Sequence, residues 1–158
     1  MSGPDLTPDA RAAVPIVAAL ARVGIVQYAE VTTTLPVAAA GPALRRSVDD
    51  WSAQTARALE RVGGAGCAKA EVRPEAGDPS GPMRNDIYVD MPEADRAAVT
   101  EAVTAAVARI ARDLPGCRLT APLLVDGNAI RMSLEIAAFV HIADAQHGNP
   151  KRGRARDA

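Results

Sequence analysis

Residues 79–90 read PSGPMRNDIYVD, and the alternation inside this stretch decides the fold. Arg84, Asp86, Tyr88 and Asp90 alternate with Asn85, Ile87 and Val89, the period-two pattern of a strand with one face turned to a core. Four polar side chains on one face are incompatible with a sheet covered on both sides, whose strands read as continuous apolar runs. The stretch therefore predicts a sheet with one buried face and one open face.

The flanking segments repeat the pattern. IVQYAEVTTT at 25–34 is rich in β-branched residues and predicts a strand with Val26, Tyr28, Glu30 and Thr32 on one side and Gln27, Ala29, Val31 and Thr33 on the other. CAKAEVRP at 67–74 alternates Ala68, Ala70 and Val72 with Lys69, Glu71 and Arg73. RLTAPLLV at 118–125 and AIRMSLEIAAFV at 129–140 form a hairpin around the turn signal Asp126-Gly127-Asn128.

Helical spacing fills the intervals. Thr7-Pro8 starts a short helix running to about Arg22, with Pro15 kinking it or marking an irregular first half and Gly24 ending it. Residues 45–62 place Val48, Trp51, Thr55, Ala58, Leu59 and Val62 on one face, and Gly63-Gly64 stops them. Residues 93–113 carry Val99, Val103, Val107 and Ile110 on one stripe before Pro115-Gly116. The result is an α+β open-faced sandwich: a mainly antiparallel or mixed sheet of about five strands, with two long helices on its apolar face. A disordered N-terminus over 1–7, one domain over 8–145 and a basic disordered tail over 146–158, carrying Lys151, Arg152, Arg154 and Arg156, complete the expected organisation.

Composition narrows the function. At 158 residues and 48% hydrophobic the chain suffices for one core, built from small aliphatics because there are one Trp, two Tyr and one Phe. A net charge of -1 provides no general attraction to nucleic acid or anionic membrane. MSGPDLTPDA lacks the basic and apolar regions of a signal peptide, and no apolar run approaches a membrane span, so a soluble cytoplasmic protein is expected. Cys67 and Cys117 stand far apart without CxxC and read as small buried hydrophobes. No metal motif and no GxGxxG turn occur, and no cofactor is expected.

The order of motifs resembles a known family. AVPIVAALARVGIVQYAEV at 13–31, AGPALRRSVDDWSAQTARALERVGGAGCAKAEV at 40–72 and DPSGPMRND at 78–86 look like the dimerisation domain of the acylating acetaldehyde dehydrogenases, partners of a pyruvate aldolase in ring degradation. There the corresponding runs read approximately IPIV, YAE, AGPGTR, TTARG, VGGAARGKA and DPPMIMRD. The resemblance implies a two-fold homodimer and, as a possible partner, an aldolase or other pathway enzyme. It also removes chemistry. The family's nucleophilic cysteine falls on Pro8, the Asp of its MRD falls on Asn85, and AAFVHIADAQHGNP at 137–150 replaces the run that completes the nicotinamide site. Thioester-forming NAD-dependent oxidation is not expected.

The polar face then offers two readings. In the preferred one the chain is a small enzyme performing non-redox acid/base chemistry of isomerase, cyclase or lyase type in a specialised pathway. Asp86, Tyr88 and Glu30 would move protons, while Tyr28, Arg84, Asn85, Arg131 and Glu135 would position a small-molecule substrate. In the other it is a catalytically inactive dimeric binding or scaffold module for an aldolase or dehydrogenase. His141, past the last strand, His147 in the tail and Ser80, without a His or Asp partner at useful spacing, carry no expected catalytic role.

Overall fold

In the computed structural model the described residues are 6–38, 42–63 and 67–136. Their elements are α1 (Ala10–Ala21), β1 (Tyr28–Val37), α2 (Pro42–Gly63), β2 (Ala68–Ala76), β3 (Met83–Asp90), α3 (Arg96–Asp113), β4 (Arg118–Leu119), β5 (Leu124–Asp126) and β6 (Ala129–Ile136). The fold is α+β. The sheet is mixed and six-stranded, in the order β2-β1-β3-β6-β4, with β5 also paired to β6. Only β1 and β2 are parallel, and α2 is the crossover that joins them.

Alternation governs burial as the sequence predicts. In β3, Met83, Asn85, Ile87 and Val89 are buried, while Arg84, Asp86, Tyr88 and Asp90 point to the other side. In β1, Ala29, Val31, Thr33 and Leu35 are buried. The core lies between this apolar face and the helices.

Four differences from the sequence reading have clear physical causes. First, three helices cover the sheet rather than two. α1 is buried almost all round, through Ala10, Ala12, Ala13, Val14, Ile16, Val17, Ala19 and Leu20, and packs between α2 and α3. An all-round apolar helix of mostly small residues fits a central position, and it runs through Pro15 without ending there. Second, Val26 precedes β1 and is in the core, 3% exposed, rather than sharing the face of Tyr28. Third, the segment read as one strand over 118–125 is split into β4 and β5, because Pro122 cannot donate to a ladder. Fourth, Cys67 is exposed at the start of β2, while Cys117 is buried as expected. The part of the last predicted strand beyond Ile136, His141, His147 and the basic tail lie outside the described residues.

The hairpin turn forms at Gly127-Asn128, with Asp126 paired to Ala129 and Gly127 at φ 61°, the left-handed conformation a two-residue turn requires at its first position.

Two buried polar clusters stitch the layers together. Asp9, 1% exposed at the entry to α1, does not cap its own helix. Its Oδ1 accepts from Thr7 Oγ1 at 2.6 Å and its Oδ2 from Thr55 Oγ1 of α2 at 2.7 Å. Inside the sheet face, Asn85 Nδ2 donates to Thr33 Oγ1 at 2.8 Å, and Asn85 Oδ1 has no hydrogen-bond partner.

Both clusters make measurable claims. Thr33→Val leaves the Asn85 amide buried and unpaired and should cost about 1–3 kcal/mol, whereas adding Asn85→Leu should recover most of that loss, as read by urea unfolding in a double-mutant cycle. Burial pushes the Asp9 carboxyl above its ordinary value of 3.8, against the opposing effect of the two hydroxyls. A raised acid holds its proton longer folded than unfolded, so its stabilising contribution is complete below that ordinary value and is lost as pH rises through the folded value. From about pH 4 to about pH 7 the parent should therefore lose stability relative to Asp9→Asn, in urea midpoints at each pH; parallel profiles would refute the assignment.

Candidate functional site

The open face is a grid set by strand register. Pairing of β1 with β3 opposes Tyr28 to Asp90, Glu30 to Tyr88, Thr32 to Asp86 and Thr34 to Arg84. Pairing of β3 with β6 opposes Tyr88 to Arg131, Asp86 to Ser133 and Arg84 to Glu135. Lys69 and Glu71 of β2 extend the rows of Glu30 and Thr32. Residues opposite each other on one face stand close enough to interact, so register alone brings these polar groups together.

Their contacts are specific. Tyr28 donates its hydroxyl proton to Glu30 Oε1 at 2.7 Å. The bond to Glu30, with partial burial, pushes the Tyr28 phenol up to about 12, so at neutral pH this tyrosine is a donor and not a base. The Tyr28 and Tyr88 rings lie 6.1 Å apart, tilted by 55°. The Arg131 guanidinium sits 4.7 Å from the centre of the Tyr88 ring, a cation–π arrangement. Asp86 is engaged at both oxygens: Ser133 Oγ donates to Oδ1 at 2.5 Å and Arg84 Nε to Oδ2 at 3.2 Å.

Glu30, Asp86, Tyr88 and Arg131 line a shallow depression of about 290 Å³. Its wall is the segment between β4 and β5, through Ala121 and Pro122, together with Leu124, which is 61% exposed. Among the described residues this depression combines carboxylates, a phenol and a guanidinium beside an apolar wall, an arrangement able to hold a polar group or a small organic anion. The remaining predicted residues stand elsewhere. Arg84 is on the face but is held by Asp86, and Glu135 is held by Arg118 Nη2 of β4 at 2.7 Å. Tyr28 touches the site through Glu30 and the Tyr88 ring.

One placement is a correction. Asn85 is fully buried on the helix side of β3, bonded to Thr33, and cannot reach a ligand on the open face. The period-two rule puts it there: it alternates with Arg84 and Asp86. Ser133, Ala121 and Pro122 were missed as site residues. Pro122 in the RLTAPLLV run was the available signal, since a proline there interrupts the strand and turns the segment into a rim. Among the described residues no strand runs through a GxGxxG turn into a helix.

Comparison with known proteins agrees with the fold. The family described as prokaryotic acetaldehyde dehydrogenase, dimerisation, matches residues 9–143. The acetaldehyde dehydrogenase of Carboxydothermus hydrogenoformans is 36% identical over 126 residues, covering 80% of this chain and 42% of that protein. Acetaldehyde dehydrogenase 2 of Paraburkholderia phymatum is 33% identical over 156 residues, covering 92% of this chain and 50% of its own length. That of Leptothrix cholodnii is 35% identical over 145 residues, covering 91% and 48%. The chain spans about half the length of the curated relatives it matches. With its central strands, its helices and the motifs of α2 all inside the matched range, this chain belongs to the prokaryotic acetaldehyde dehydrogenase dimerisation family.

Proposed function

We propose that this domain is a self-associating module, forming a two-fold homodimer through the open face of its sheet. The observation that carries the reading is the polar face itself: four adjacent strands, β2, β1, β3 and β6, present it and no helix of the described residues lies on it. Rows that carry both signs of charge, such as Lys69, Glu30 and Arg131, are self-complementary about a two-fold axis, because each copy offers a partner for the other's opposite charge. The two tyrosines and exposed Leu124 supply apolar area to the same surface. Dimerisation in the matched family's description supports the oligomeric part of this reading.

A second reading is favoured by one specific cluster. Glu30, Asp86 and Tyr88 meet around the depression with Arg131 beside them, the groups that non-redox proton transfer on a small anionic substrate requires. The dimer is the stronger reading, since Glu30 and Asp86 each already have a partner within the chain on a shallow surface.

Thr32→Arg places a bulky charge in the middle of the face, opposite Asp86. Sedimentation equilibrium should show the parent as a dimer and this variant, with unchanged circular dichroism, as a monomer. A variant that stays dimeric sinks the proposed interface, and a parent that is monomeric but captures purified aldolase would turn the face into a heterotypic one. For the enzymatic reading, Asp86→Asn and Tyr88→Phe should abolish conversion of a pathway intermediate; two variants as active as the parent would eliminate it.

A further inference from the structure

On the helix side of the molecule, the first turns of α1 and the last turns of α3 line a second, open cleft, of about 430 Å³. We propose that it is a ligand site for a small organic anion carrying a phosphate or carboxylate group on an apolar body.

The rim holds three guanidiniums, Arg11 of α1 and Arg109 and Arg112 of α3, against one carboxylate, Asp113. This concentration of positive charge stands on a chain whose net charge is -1. Among the described residues none of the three arginines belongs to an ion pair; the pairs there join Arg73 to Glu71, Arg84 to Asp86 and Arg118 to Glu135. Beneath the rim, Pro15, Ile110 and Leu114 form an apolar floor. The volume falls in the range of small-molecule sites, and the cleft is open to solvent on its rim side.

Helix stability does not account for all three arginines. Arg11 occupies the first turn of α1, where the helix dipole disfavours a cation. Arg109 and Arg112 are three residues apart on one helix, so they are neighbours and repel each other, a repulsion that Asp113, four residues after Arg109, offsets only in part. The dipole accounts for Arg112 alone, in the last turn of α3. Three guanidiniums from two helices thus line one cleft with a single carboxylate among them, and a shared anion would offset the excess positive charge. Guanidinium forks suit this task, because their planar donors match the oxygens of phosphate and carboxylate in pairs. The apolar floor selects against a bare inorganic ion. This site is separate from the open sheet face and does not depend on how that face is used.

The test is a titration of the uniformly ¹⁵N-labelled full chain with phenyl phosphate, benzoate and inorganic phosphate at constant ionic strength, followed by amide shifts. Phenyl phosphate, benzoate or both should shift amides around Arg11 and around Arg109 to Leu114 saturably, and the tighter of the two names the headgroup. Arg109→Gln and Arg112→Gln should each weaken that binding by about tenfold, as expected for losing a charge-assisted, paired hydrogen bond. Arg61→Gln, which removes the same charge from an exposed position near the end of α2, should leave it unchanged. Absence of saturable shifts from both organic anions, or equal weakening by Arg61→Gln, overturns the site. Inorganic phosphate binding as tightly as phenyl phosphate overturns the role given to the apolar floor.

Discussion

Everything in this molecule depends on the register of β3 between β1 and β6. That strand is flanked on both sides by antiparallel partners, and its alternation assigns every neighbour to one of two faces. Because side chains alternate with a period of two, a slip by one residue would drive Arg84, Asp86 and Tyr88 into the core and expose Met83, Ile87 and Val89. Burial of those apolar residues against the helices makes such a slip prohibitive. The polar grid on the open face is in this sense a by-product of the core: its geometry is held by residues that never touch it.

The same division separates stability from recognition. On the open face the ion pairs are largely exposed, with Arg84 and Asp86 at 56% and 40% side-chain exposure, and pairs of that kind contribute little to folding. Stability resides in the helix-covered side, where α1 is packed between α2 and α3 and its entry is tied to α2 by Asp9 and Thr55. Thr55 lies in the TAR run that matches the family motif, and the bond to Asp9 supplies a physical reason for a hydroxyl at that position. Charges that do not serve the core are then free to be arranged for contact with something outside the chain. The grid on the sheet and the arginines at the cleft between α1 and α3 are charges of this kind, placed outside the core.

Much of this was legible in the residues. Strand alternation over β1, β2 and β3, the helical stripes of α2 and α3 and the turn at Gly127 all follow from spacing, because periodicity reports burial directly. The position of α1 was not legible. Its residues are apolar nearly all round, so they show no stripe, and only packing between two other helices explains them. Nor was the split between β4 and β5 foreseen, since two- and three-residue strands are too short to carry a period of their own.

By itself, then, the sequence determined the fold class, the family and the identity of the polar face, since each rests on local alternation or on motifs at fixed spacing. The tertiary structure decided which of those polar residues meet. Cross-strand register placed Glu30 beside Tyr88 and Asp86 beside Ser133, and it put Asn85 on the far side of the strand, bonded to Thr33. The packing of α1 against α3 decided that Arg11 would line one cleft with Arg109 and Arg112, across almost a hundred residues of chain. No local pattern encodes such meetings, because register and helix packing are settled by burying the whole core at once.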